Sequence, residues 1–108
     1  LNLIVEKICT KMQIIFSIRQ IGGFDPIEFD KNCIDHIRNA AIKFGYSHKD
    51  IISGAGHDAC AINQVLPAAM IMCPCVNGIS HNEAEEIKKE WAFSSTNVLM
   101  HAAIEAAS

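Results

Sequence analysis

From Ile51 to Asn82 the chain carries one formal charge, Asp58. So little charge over such a length means burial on several sides or passage through a membrane. Pro67, Pro74, Asn63, Gln64 and Asn77 interrupt the stretch, which is incompatible with a spanning helix. It therefore reads as a set of elements packed inside protein. A lone domain of 108 residues leaves much of its surface wet. This much uncharged sequence implies that other protein covers it.

The elements alternate in type. Leu1, Ile4, Val5, Ile8 and Met12 follow helical spacing, so Leu1 to Met12 reads as the end of an amphipathic helix. Gln13 to Ile18 is a β-branched run of strand length. Gly22-Gly23 and Asp25-Pro26 then mark a loop or hinge. Asp30 is placed to cap a helix whose buried stripe is Cys33, Ile34, Ile37, Ala41 and Phe44, and Gly45 to stop it. Lys49 to Ile52 is a short strand candidate, and a short helix is expected from His57 to about Val65. After Pro67, Ala68 to Cys73 reads as a fully buried strand. Asn77-Gly78 is a turn, and Val98 to Ala107, rich in alanine, is a helix. The order is that of an α/β protein.

Half of the chain is hydrophobic and 19% is charged, which argues against disorder. The net charge is −3 with nine scattered Lys and Arg residues. No basic stripe exists to neutralise a phosphate backbone, so no nucleic-acid partner is expected, and no membrane partner either. The five cysteines are odd in number and fit no disulfide framework, so reduced thiols in a cytoplasmic protein are expected. The chain opens on Leu1 without an initiator methionine or a visible secretory signal, as a processed product or fragment would.

Two segments have the makings of chemistry. Ser53-Gly54-Ala55-Gly56-His57-Asp58-Ala59 combines glycines, whose backbone a ligand can approach closely, with an imidazole and a carboxylate. A tight strand-to-helix turn with Asp58 satisfying backbone amides explains the same residues equally well. In Gly78-Ile79-Ser80-His81-Asn82-Glu83-Ala84-Glu85-Glu86, a histidine precedes a group of carboxylates. A neutral imidazole is a good zinc ligand, and a carboxylate can orient it. A helix N-terminus, with Glu83, Glu85 and Glu86 favouring its dipole and His81 on the surface, is the plain alternative. His36, His48 and His101 lack a paired acid at a telling distance, Arg19 reads as a surface residue, and Cys73-Pro74-Cys75 as buried inert thiols.

Together, "SGAGHDA", "LPAAMIMCPC" and "NGISHNEAE" closely resemble the C-terminal signature of the hydantoinase/carbamoylase family. That family includes N-carbamoyl-L-amino-acid hydrolases, allantoate amidohydrolases and β-ureidopropionases, and is related to aminoacylases. The resemblance covers residues 21 to 108, down to "NVLMHAAIEAA", and residues 1 to 20 by position alone. It implies that residues 1–20 are the tail of a smaller α+β lid or dimerisation domain. Residues 21–108 would be the C-terminal portion of a zinc-aminopeptidase-like catalytic domain, a mixed sheet flanked by helices.

The resemblance also implies a site. Two zinc ions, with manganese as a substitute, activate water and polarise the carbonyl of a carbamoyl or ureido substrate. The histidine of the family's "GISH" motif, a zinc ligand, falls on His81. The "GAGHD" loop, which contacts substrate, falls on Ala55, Gly56 and His57, with Asp58 and Glu85 placed behind the contacting residues. One departure is Glu83, where the family usually has proline. The family's catalytic glutamate and remaining ligands lie upstream of any residue here, so this chain alone is expected to be inactive. The family commonly forms homodimers, and the same is expected of a complete protein. The rival expectation is a non-catalytic remnant acting as a binding or oligomerisation module.

Overall fold

A computed structural model describes residues 1–23 and 25–108. Four α-helices carry the regular structure: α1 (Asn2–Met12), α2 (Lys31–Lys43), α3 (Asp58–Ile62) and α4 (Lys89–Ala106). A single 3-10 turn, Val76–Gly78, lies between α3 and α4.

Helix α2 is defined by its ends. The Asp30 carboxylate accepts the Cys33 N–H at 2.9 Å, satisfying one of the donors that the first helical turn leaves unpaired. At the other end Gly45 adopts φ +68, a left-handed conformation that glycine takes without a Cβ clash. Its N–H donates to the Ile42 carbonyl, and Tyr46 N–H donates to Ala41 O, both at 3.0 Å. This is the paired-bond stop of a Schellman motif. Helix α1 ends the same way with Gln13 at φ 55 in the glycine-like position and Ile14 N–H reaching back to Cys9 O at 2.9 Å.

Helices α2 and α4 pack on one another and make the core. Ala40, Ala41, Val98 and Ala102 are the buried residues, with Ile37, Tyr46 and Ile71 packed against them. Alanine on both helices lets the backbones approach closely. The pair is antiparallel: His36 meets Glu105 at 3.6 Å, the Phe44 and His101 rings lie 4.4 Å apart, and Asn97 donates to the Tyr46 hydroxyl at 3.2 Å. Helix α4 begins at Lys89, well before the expected Val98. Ser94, Ser95, Thr96 and Asn97 have weak helix propensity, but packing against α2 overrides it, and Ser94 folds its hydroxyl back onto the Trp91 carbonyl.

The expected strands are not formed among the described residues. Gln13–Ile18, Lys49–Ile52 and Ala68–Cys73 run as irregular segments. A strand exists only when a neighbour takes its hydrogen bonds. The N–H groups of residues 69–73 donate to no described residue, so the pattern is there and the ladder is not. Two irregular segments are nonetheless tied down: Asp30 N–H donates to Ala68 O at 3.0 Å, and Asn63 bridges Glu28 O and Ala68 N–H.

The result is open. The radius of gyration is 19.9 Å, against about 13 Å for a compact chain of this length. The accessible surface is 9308 Å², where a compact 11.8 kDa protein shows about 5,900 Å². The excess of roughly 3,400 Å² exceeds what one partner contributes to an ordinary protein interface. Much of it is aliphatic, with Ile15 and Ile52 essentially wholly exposed. No described helix is long and apolar enough to cross a membrane.

The Asp30 cap makes a pH prediction. The backbone bond from Cys33 holds the Asp30 carboxyl below its ordinary value of 3.8. A depressed acid stabilises the fold when ionised, so its contribution is complete above pH 3.8 and is lost as pH falls through the lower folded value. Far-UV circular dichroism should show wild type losing helix in that acid window. Asp30→Asn, which caps without titrating, should lack this component.

Candidate functional site

The turn Ser53–His57 leads into α3, with His57 as its N-terminal boundary residue in extended backbone. It lines a cleft of about 1120 Å³ between α2, residues 46–57, residues 70–74 and α4. Ile34, Ile37, Ala41, Trp91 and Val98 form much of the apolar wall. Arg38 bonds Asp50 at 2.9 Å and also pairs with Asp35, fastening the segment before the turn to α2.

Within the turn the side chains bond locally. Ser53 Oγ lies 2.7 Å from His57 Nε2 and accepts the Ala55 N–H at 3.2 Å. The Ala55 amide is therefore already engaged and is not free to hold an anion. Gly54 has an ordinary negative-φ backbone and nothing within 4 Å of where a Cβ would stand, so its local conformation does not require glycine. Asp58 lies in the first turn of α3, exposed, and its carboxylate bonds to no described residue. The backbone-satisfying role weighed for it is not realised.

The second segment is an eleven-residue loop closed at its base by Val76 N–H donating to Glu86 O at 2.7 Å. Asn77 and Gly78, at φ 56 and 69, turn the chain as expected. His81 also sits at positive φ, 56, with its ring exposed and bonded to no described residue. Its backbone N–H donates to Glu85 Oε2 at 2.7 Å. Glu85 thus holds the main chain of His81, leaving the imidazole free. The turn needs no proline at Glu83: Asn82 Oδ1 accepts the Ala84 N–H at 2.9 Å, and Asn82 O accepts that of Glu85 at 2.9 Å. The carboxylates do not begin a helix, since α4 starts at Lys89.

Sequence reading did not single out two bonds here. The Cys75 thiol donates to Glu85 Oε1 at 3.6 Å, joining the thiol, the carboxylate and the His81 backbone. Cys73 donates to Trp91 O and lies 2.9 Å from Ser95 Oγ, against α4. Neither was legible, because no local spacing rule pairs these residues. All five cysteines are free thiols. Arg19 is exposed; His36, expected to have no paired acid, meets Glu105 across the helix pair, His48 bonds Tyr46 O, and His101 lies against Phe44.

The two segments are not brought together by the described residues: His81 forms no part of the cleft wall that holds His57. No group of three or more His, Cys, Asp or Glu able to hold a metal occurs among them. His81 offers one suitable nitrogen donor, and a metal centre needs further ligands from outside this set.

A chain of this build is matched by the model of peptidase family M20/M25/M40 over residues 11–105, and it belongs to that family. Within it, the chain is 52% identical over 101 residues to an N-carbamoyl-L-amino-acid amidohydrolase of Rhizobium meliloti, covering 94% of this chain and 24% of that protein. It is 33% identical over 81 residues to the allantoate amidohydrolase of Escherichia coli, covering 75% and 20%. A crystal structure of a hydantoinase/carbamoylase-family amidase from Burkholderia vietnamiensis superposes with a TM-score of 0.91 at 44% identity, over 96% of this chain and 25% of that one. The chain therefore spans about a quarter of the relatives it matches.

Burial, reinforced by the Glu85 carboxylate and by Cys73, pushes the Cys75 thiol above its ordinary value. Glu85→Gln removes the negative charge, so more thiolate should form at a given pH. The Cys75 alkylation rate by iodoacetamide, followed by mass spectrometry across pH, should rise in that variant.

Proposed function

We propose that this chain supplies the C-terminal quarter of a metal-dependent amidohydrolase that cleaves the carbamoyl or ureido C–N bond of N-carbamoyl amino acids, allantoate or similar small acids. The observation that carries this is the Ser53–His57 turn on the wall of the cleft, in a chain 52% identical to a carbamoyl-amino-acid hydrolase. Ala55, Gly56 and His57 face the substrate, with the open space in front of Gly54 left for it. Asp58 and Glu85 act behind them, Glu85 through the His81 backbone.

His81 is one ligand of a zinc or manganese centre whose other ligands, and the general base, come from the remaining polypeptide. When bound, such metals polarise the scissile carbonyl and make water nucleophilic near neutral pH. The exposed His81 ring and the surface excess both support this division, since each lacks the partner it is built to meet.

Residues 1–20 belong to a lid or dimerisation domain and residues 21–108 to the catalytic domain. In support, α1 packs on no other described helix, and Gly22-Gly23 lies between it and the α2–α4 body. The complete protein is a homodimer in the cytoplasm, with free thiols to match a reducing compartment.

Intact mass and metal content of protein from its native source test the reading. A mass about four times 11.8 kDa is expected from the 24% coverage, with up to two metal ions per subunit. A metal-free 11.8 kDa species would leave a non-catalytic binding module instead. In the complete hydrolase, His81→Ala should lower bound metal by about one ion per subunit and kcat/KM by at least a hundredfold or so. Chelation should abolish activity, and zinc or manganese should restore it.

A further inference from the structure

The bond between Ser53 and His57 determines more than the shape of the turn. A hydroxyl has one proton to give and two lone pairs with which to accept. Ser53 Oγ spends one lone pair on the Ala55 N–H at 3.2 Å. Its proton has two candidate acceptors, the Ala55 carbonyl at 3.4 Å and His57 Nε2 at 2.7 Å. Hydroxyl-donated bonds are commonly about 2.5–3.0 Å, so the carbonyl is a weak acceptor for this proton and Nε2 a well-placed one. The second lone pair of Oγ is also open to an Nε2–H donor, but 2.7 Å is the usual length of a hydroxyl-donated bond and the short limit of an N–H-donated one, which favours a proton given to Nε2 and a neutral ring with its own hydrogen on Nδ1. No described residue accepts from that nitrogen.

We propose that Ser53 is a positioning residue that holds neutral His57 in the Nδ1–H form, making it a hydrogen-bond donor to a carboxylate or carbonyl oxygen of the substrate. This rests on the reading of His57 as a substrate contact. An unrestrained imidazole in water favours hydrogen on Nε2, and a hydroxyl proton given to that nitrogen shifts the balance towards the Nδ1–H form. It also explains why the Ala55 amide can be given up to Ser53: the donor facing the substrate is the imidazole beside it. Ser53→Thr keeps a hydroxyl in the same place, and Ser53→Ala removes it.

The tautomer is read directly by two-bond proton–nitrogen correlation spectra of the nitrogen-15-labelled full chain at a pH where imidazole is neutral, with His57 assigned by its loss in His57→Gln. The expected result is an Nδ1–H pattern in wild type and Ser53→Thr, and an Nε2–H or mixed pattern in Ser53→Ala. An Nε2–H pattern in wild type would overturn the proposal, whether or not the alanine variant folds. So would an Nδ1–H pattern that survives Ser53→Ala. In the complete hydrolase, Ser53→Ala should raise KM roughly tenfold, with less effect on kcat and with rescue by threonine. An unchanged KM alongside a lost tautomer would overturn the donor role and the substrate-contact reading with it. The spectra separately decide what Ser53 does to the ring.

Discussion

The close approach of α2 and α4 is the contact on which the rest of this structure depends. Ala40 and Ala41 on one helix and Val98 and Ala102 on the other are the only buried ones among the described residues. Small side chains make the approach tight but supply little apolar area, roughly one to three methyl-sized groups each. Longer side chains around the seam complete it: Phe44 against His101, Tyr46 against Asn97, and His36 against Glu105. The cleft wall, the Asp50 anchor on Arg38 and Cys73 on α4 all depend on this helix pair. Without it, nothing holds residues 46–57 and 70–74 across from one another.

The candidate site follows the same logic at smaller scale. The Ser53–His57 turn is rigidified by its own hydroxyl and does not rely on distant neighbours. The His81 loop is likewise self-contained, closed by Val76 and Glu86 and shaped by Asn82 and Glu85. Each presents one imidazole, and each needs something beyond the described residues to act on. A single imidazole binds a catalytic metal weakly.

Local features were readable from the residues alone. Asp30 as a cap, Gly45 as a stop, the Asn77-Gly78 turn and the core-facing Ala41 each follow from one residue's stereochemistry or one helical period. The motif strings around His57 and His81 also carry the signature of the family to which the chain belongs. The start of α4 was not readable, because Ser94 to Asn97 have weak helix propensity and are helical all the same. Nor were the Ser53–His57 bond and the Cys75–Glu85 bond, which depend on how turns bring side chains together.

The three strand-like runs show where sequence stops and tertiary structure begins. Their β-branched, apolar character belongs to the residues themselves, and so does the near-absence of charge from Ile51 to Asn82. Whether such a run becomes a strand depends on a neighbour that accepts its N–H groups, and no described residue does so for 69–73. Helix ends and turns are written in the residues, because they rest on bonds within a few positions. The fold adds that α2 and α4 make the core, that Glu85 grips the His81 backbone instead of its ring, and that residues 69–73 find no acceptor for their N–H groups among the described residues. Those outcomes depend on which groups meet across long stretches of chain, and hydrogen bonds and burial exist only where both partners are present.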